Sequence, residues 1–286
     1  MSKGRSDMTM RTWFITGVSS GFGRHLAEQL LERGDRVAGT ARRMEALADL
    51  AGRYPEQFWL RSLDVTDTPA IRRVVNEAFG HFGRIDVIVN NAGYGLVGAA
   101  EELTDEQIRH QIDTNIIGSI QVVRAVLPHL RAQGGGRILQ LSSMGGQWAM
   151  PGLSLYHATK WAVEGFIEST ALDIAPFNVE TTIVEPGSAR TEFAASSAAI
   201  GPAMEVYADT PAGATRRRIE PGFHAQPGDP ARMAAAMIAS VDQHPAPKRL
   251  ALGSDAFRNI KAALTERLRQ LEAQESIALS TDYPAD

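Results

Sequence analysis

Short apolar runs alternate with longer amphipathic stretches along most of the chain. The first run, 12–16 (Thr-Trp-Phe-Ile-Thr), leads into a Gly-rich turn and then helical periodicity over about 22–33. Gly34 follows as a left-handed helix stop. Residues 36–41, 58–63, 85–90, 137–142 and 179–185 read as further strands, each too short and too continuously apolar for a surface helix. Helical patterns fill the intervals, most clearly 104–130 and 155–175. Strand and helix taken in turn predict an α/β fold: a doubly wound, Rossmann-like parallel sheet between two helical layers, three-layer αβα in a single domain.

The alternation stops after Pro186. Residues 188–229 are rich in Ala, Gly, Pro and Ser, with Phe193, Met204, Tyr207 and Phe223 scattered among them. So long an interruption inside a compact domain predicts a lid over a substrate or an unstructured insertion. A helix over about 230–242, a strand at 249–252 and a charged helix at 254–273 then close one domain running from 11 to 286. Residues 1–10 are polar, lack the apolar core of a signal peptide, and read as a leader or cloning remnant.

Composition narrows the chemistry. There is no cysteine, which removes disulfides, thiolate nucleophiles and thiolate-bound metals. The seven histidines form no pair at metal-ligand spacing, so no metal is expected. The formal charge of -4 is spread without a basic face, so neither nucleic acid nor a membrane surface is an expected partner. No apolar run is long enough to span a bilayer, and a cytoplasmic protein is the expectation. The run Arg216-Arg217-Arg218 reads as a solvated loop.

Three patterns carry candidate chemistry. Thr16-Gly17-Val18-Ser19-Ser20-Gly21-Phe22-Gly23 lies between a strand and a helix. Glycines there let the backbone approach a pyrophosphate at a helix N-terminus, although such turns also serve purely structural ends. Tyr156 and Lys160 are four apart on a predicted helix and share a face. An ammonium near a phenol favours the phenolate. Most such pairs are incidental, but lysine occurs only at positions 3, 160, 248 and 261 among 29 Lys and Arg together. Ser143 and Asn90-Asn91-Ala92-Gly93 end predicted strands, where ordinary turn chemistry is an alternative. Asn115 falls inside a predicted helix, where solvation is the bland explanation. The third pattern is Ala41-Arg42-Arg43 after the second strand. An NAD-selective site usually has Asp or Glu there, reaching the ribose 2′-hydroxyl. Ala41 removes that carboxylate, and the Arg42 guanidinium suits a 2′-phosphate. NADP(H) is therefore expected over NAD(H), with Ser19 and Arg43 as added contacts; the alternative is that both arginines are surface residues.

Together, TGxxxGxG, NNAG, a helical Asn, Ser, YxxxK and the later Pro186-Gly187 resemble the hallmark set of the short-chain dehydrogenase/reductase family, over about 12–191. The resemblance implies transfer of a hydride between NADP(H) and a carbonyl or secondary alcohol. Tyr156 would be the general acid/base, Ser143 would bind the substrate oxygen, Lys160 would hold the nicotinamide ribose, and Asn115 would help hold a relay water. Gly17, Ser19, Ser20, Gly21, Phe22 and Gly23 would line the phosphates, and Asp64 and Val65 would border adenine. Asn90, Ala92 and Gly93 would lie along the adenosine ribose; Pro186, Gly187, Ser188 and Thr191 would position the carboxamide. The Gly-Phe-Gly turn, Ala-Arg-Arg and Leu-Gly-Ser-Asp-Ala look like the 17β-hydroxysteroid or retinol dehydrogenase-like branch with its bacterial members. Relatives also suggest a homodimer or homotetramer. Phe22, Glu185 and Ser188 depart from the commoner residues at their places.

Tyr94, Gly95, Met144, Gln147, Trp148, Met150 and Phe193 are expected to line a pocket for a small, rather apolar carbonyl or alcohol substrate. Two other readings compete. One is a catalytically silent NADP(H) sensor or interaction protein, which usually lacks the tyrosine or lysine. The other is a sugar-nucleotide epimerase or dehydratase, which usually has a different glycine spacing and a larger C-terminal domain.

Overall fold

The computed structural model describes residues 10–191, 198–219 and 226–283. Its strands are β1 (Thr12–Thr16), β2 (Arg36–Ala41), β3 (Phe58–Ser62), β4 (Val87–Asn90), β5 (Leu96–Val97), β6 (Gly136–Leu141), β7 (Val179–Pro186), β8 (Ala199–Ile200) and β9 (Arg249–Leu252). The main helices are α1 (Gly21–Arg33), α2 (Ala48–Arg53), α3 (Thr68–Phe82), α4 (Asp105–Ile112), α5 (Ser119–Ala132), α6 (Ser154–Ile174), α7 (Pro211–Ile219), α8 (Pro230–Ser240), α9 (Ser254–Glu272) and α10 (Glu275–Leu279).

Seven strands form one parallel sheet in the order β3-β2-β1-β4-β6-β7-β9. The chain winds outward from β1 in one direction, then restarts at β4 and winds outward in the other. The β1/β4 boundary is thus a topological switch point, where a crevice opens beyond the carboxyl ends of the strands. Alternation along each strand feeds two cores. Trp13 and Ile15 of β1 pack with Leu26, Leu30 and Met237 of α1 and α8 on one face. Phe14 turns to the other face, among Ile71, Val75, Val122 and Ile167 of α3, α5 and α6. A sheet buried on both faces needs continuous apolar strands, which is the pattern the sequence shows.

Local signals set the helix ends. Gly34 adopts φ 97° and closes α1 as expected, its N–H donating to Leu30 and Leu31. Asp67 caps α3 through Ala70 N–H, and Asp229 caps α8. The helix expected over 104–130 is instead interrupted. Residues Asp113–Gly118 form a π-helical turn between α4 and α5. Gly118 lies tight against Val65, where an added Cβ would sit 2.8 Å from the Val65 carbonyl oxygen. The helix widens where it passes the Val65 backbone, and such π turns are frequent at functional sites.

The region 188–229 holds more structure than its composition suggests. β8 pairs with β5 in a small parallel ladder, and α7 packs beyond it. Arg216, expected in solvent, is buried against Glu102 at 2.8 Å, with Gly201 carbonyl accepting a second bond at 2.7 Å. Three arginines in sequence say nothing of which one turns inward on a helix. Residues 1–9, Phe193 and Phe223 lie outside the described residues. Among the described residues, no helix is long and apolar enough to cross a membrane.

Candidate active site

A cleft of about 1410 Å³ opens at the switch point. Pockets for drug-sized ligands measure about 300–1,000 Å³, so this cleft is large enough for a ligand of dinucleotide size. The turn after β1 forms its floor. Gly17 has φ 73°, and a Cβ on Gly23 would run into the Gly17 carbonyl and lie 2.7 Å from Asn91 Nδ2. Asn91 Nδ2 donates to the Thr16 and Gly17 carbonyls at 2.8 and 3.0 Å, and Thr16 Oγ1 accepts from Asn91 and Ala92 N–H. This clamp joins the two strand ends that meet at the switch point.

Gly17, Ser19, Ser20, Gly21, Phe22, Arg42, Arg43, Asp64, Val65, Ala92 and Gly93 all face the cleft. Two expected residues do not. Gly23 lies beneath the turn. Asn90 is buried, its amide donating to Ser119 carbonyl and Gln140 Oε1. Asn91, named in the sequence motif but given no cofactor contact, takes the position facing the cleft; alternation of side chains along β4 is the signal that separates the two neighbours. Burial pushes the Asp64 carboxyl up, but hydrogen bonds from Thr66 and the charges of Arg42 and His110 bring it below its ordinary value.

The opposite wall rises from the ends of β6 and β7. Ser143 is extended and accepts Gly145 N–H at 3.1 Å. A hydrogen bond joins the Ser143 and Tyr156 hydroxyls; burial pushes the Tyr156 phenol up to about 12, with Ser143 opposing. Lys160 Nζ lies 5.7 Å from the Tyr156 ring centre and donates to Leu141 carbonyl at 3.0 Å. Burial brings Lys160 down to about 8, opposed by Glu164. Desolvation of the phenol dominates at Tyr156, with the Ser143 hydrogen bond as the opposing influence.

Asn115 is buried, not solvated. Its Oδ1 accepts Tyr94 N–H at 3.1 Å, while Nδ2 donates to Tyr94 carbonyl and Thr159 Oγ1 at 2.9 and 3.1 Å. Thr159 Oγ1 in turn donates to Tyr156 carbonyl. The π turn thus ties the strand β4 exit to the helix bearing Tyr156 and Lys160. The Asn115 side chain does not line the cleft, and both ends of its amide are engaged by the protein.

Pro186, Gly187, Ser188 and Thr191 line the cleft. Asp255, quoted in the sequence only as part of Leu-Gly-Ser-Asp-Ala and given no role there, holds that turn: Oδ2 accepts Ser188 N–H at 2.7 Å. A Cβ on Gly187 would collide with the Asp255 carboxylate. Of the expected substrate-pocket residues, Tyr94, Met144, Trp148 and Met150 face the cleft. Gly95 is spent on the β5/β8 ladder. Gln147 points inward and donates to Glu185 Oε1 at 2.6 Å. Glu185, an unusual residue before Pro186-Gly187, belongs to a buried ionic cluster. Arg249 pairs with Glu164 at 2.6 Å and with Glu185 and Glu168, and Ser142 donates to Glu164.

Comparison with known proteins agrees with this geometry. The short chain dehydrogenase family model matches residues 11–199. The oxidoreductase BOA17 of Botryotinia fuckeliana is 37% identical over 268 residues, covering 91% of this chain and 97% of that protein. A short-chain dehydrogenase from Streptomyces avermitilis is 41% identical, covers 96% of this chain and 100% of its own, and superposes with a TM-score of 0.90. The NADP-bound structure of ElxO is 25% identical with a TM-score of 0.72, covering 87% and 100%. The chain belongs to the short-chain dehydrogenase/reductase family. It is an oxidoreductase with a Rossmann-like αβα fold.

Proposed function

We propose that the enzyme interconverts a carbonyl compound and its secondary alcohol using NADP(H), with Tyr156 moving the proton. The carrying observation is the hydrogen-bonded Ser143–Tyr156 pair beside Lys160, in the same cleft as the glycine turn. A bound nicotinamide dinucleotide would supply the two-electron donor or acceptor. The chain's residues fit such a group. Gly23 leaves no room for a side chain under the turn, and α1 begins there with no acidic residue in its first turn. Gly17, Ser19, Ser20, Gly21 and Phe22 would hold the phosphates, Asp64 and Val65 the adenine, Ala92 and Gly93 the adjoining ribose, and Lys160 the nicotinamide ribose. Pro186, Gly187, Ser188 and Thr191 would hold the carboxamide.

A phenol pushed up to about 12 stays protonated at neutral pH. Tyr156 is therefore poised as the acid in the reductive direction, giving its proton to the substrate oxygen that Ser143 steadies. The Lys160 ammonium favours the phenolate left behind. We assign Asn115 to positioning, through Tyr94 and Thr159. Exposed Ile117 before α5, Trp161 and Leu172 on α6 and Phe177 just after it support a homo-oligomer. We read the described part of 188–229 as a cover over the substrate, joined to the body through the Arg216–Glu102 pair.

Preference for NADP(H) rests on Arg42, which lines the cleft where β2 ends in Ala41. A charge-assisted hydrogen bond is worth about 1.5–3 kcal/mol, so Arg42→Ala is expected to weaken NADPH roughly tenfold to a hundredfold and leave NADH nearly unchanged. Titration of both cofactors, followed by turnover of a ketone and aldehyde panel, checks the proposal. Equal losses for both cofactors would remove Arg42 from phosphate recognition; no cofactor-linked turnover with any carbonyl would count against the reaction itself.

A further inference from the structure

His157 follows the proton-transfer tyrosine, and its imidazole forms part of the wall of the cleft. It is 6% exposed. Nε2 accepts Met150 N–H at 3.1 Å, and Nδ1 lies 2.9 Å from Gly145 carbonyl. The two contacts fix the tautomer. A nitrogen that accepts from an amide carries no proton, so Nδ1 holds it and donates to the carbonyl. The imidazole therefore closes residues 145–150 into a loop bound at both ends to the first turn of α6. Gly145 is pressed close enough that a Cβ there would sit 2.6 Å from Nδ1. Trp148 stands edge-on to the imidazole at 6.3 Å between ring centres. Met144, Gly145, Trp148, Met150 and Tyr156 all face the cleft.

We infer that His157 is a positioning residue for substrate binding, holding the Gly145–Met150 wall at a fixed distance from Tyr156 and doing so only as the neutral Nδ1–H tautomer. This rests on the carbonyl-reductase reading above. A second proton would set Nε2–H against Met150 N–H, leaving a buried donor without an acceptor. Burial lowers the imidazole below its ordinary value, opposed by the Gly145 carbonyl, which keeps it neutral near pH 7. The surrounding groups are few: the Tyr156 phenol 6.0 Å away between ring centres, Lys160 and Glu164 further along α6, and Arg267 of α9, which donates to Gln147 carbonyl. The wall segment 144–150 carries no charged side chain.

Glutamine offers one amide donor and one carbonyl acceptor and does not titrate; leucine offers neither. With NADPH and an accepted ketone, His157→Leu is expected to raise KM roughly tenfold while kcat and NADPH affinity stay near wild type. His157→Gln is expected to recover most of that KM. In wild type, KM should rise only as pH falls below the ordinary imidazole value of about 6.5, and the Gln variant should lose that rise. Met150 amide exchange, measured without substrate, is expected to be protected in wild type and Gln and unprotected in Leu. A wild-type KM in Leu, or the same acid limb in Gln, overturns the inference. If Leu does not fold, the Gln pH profile decides. If no carbonyl turns over, Met150 protection decides: an exchange rate in Leu as slow as in wild type would overturn the imidazole bridge.

Discussion

The turns after β1 and after β6 end in the same cleft and are held in opposite ways. The first is a matter of backbone. Asn91 and Thr16 supply neutral hydrogen bonds, glycines permit close approach, and no titratable side chain takes part in the clamp. The second stands on ionisable groups: Lys160 and Tyr156 at the surface of the cleft, His157 within its wall, and Glu164, Glu185 and Arg249 beneath. The glycine turn is vulnerable to added atoms, whereas the catalytic turn is vulnerable to protons and to lost charge. Substitutions at the two ends should therefore fail differently.

The largest effect is expected at the reacting hydroxyl. Tyr156→Phe removes the proton donor and leaves the ring in place, so turnover should fall by roughly two to four orders of magnitude. Cofactor affinity should hold. Steady-state rates beside a binding titration check both halves, and a near wild-type rate would reassign the acid.

Next comes the linkage of Lys160 to stability. Its folded value of about 8 lies below the ordinary 10.5. Below about pH 8 both states are protonated, and the fold carries the cost of a buried ammonium. Between about 8 and 10.5 the folded chain gives up the proton first, so this contribution to stability rises with pH. At about 1.4 kcal/mol per unit, the cost at pH 7 is of order 3 kcal/mol, less what the Leu141 hydrogen bond returns. Lys160→Met should therefore raise Tm at pH 7, lose that advantage towards pH 10.5, and be inactive. A Met variant whose Tm difference does not change with pH would sink this account.

The same contrast explains what the sequence made legible. The bounds of β1, β2 and β9 and the left-handed Gly34 could be read directly, because buried parallel strands and helix stops depend on local apolarity and backbone sterics. The glycine turn was legible for the same reason. The polar supports were not. Asn115 needs the π turn to aim inward, Gln147 finds Glu185 38 positions away, and Asp255 reaches Ser188 across 67 positions. Arg216 was read as solvated because its partner, Glu102, is just as remote in sequence. Such pairings carry no local period, and only the assembled sheet brings them together.

The glycine turn should break by crowding. Gly23→Ala puts a methyl group against the Gly17 carbonyl and the Asn91 amide, both fixed by the clamp. Overpacking of this kind costs about 1–3 kcal/mol, and cofactor affinity should drop with stability because the displaced atoms form the cleft floor. Thermal melts and an NADPH titration read both. A fall in Tm with full cofactor affinity would separate the clamp from cofactor binding.

The smallest effect is expected at the other end of the same helix. Gly34 closes α1 at φ 97°, but an added Cβ there would meet nothing within 4 Å. Gly34→Ala therefore carries only the backbone penalty of the left-handed region, about 1–2 kcal/mol for a residue with a side chain. Asparagine tolerates that region better, so Gly34→Asn should cost less than Gly34→Ala. The position lies at the far end of α1 from the cleft and is not among its lining residues, so neither variant should change NADPH affinity or the pH dependence of turnover. Setting Gly23→Ala beside Gly34→Ala thus separates two demands for glycine within one helix, space in the first case and backbone conformation in the second. Loss of cofactor affinity in Gly34→Ala comparable to that in Gly23→Ala would show that α1 responds as a rigid unit, and the distinction between its two ends would fall.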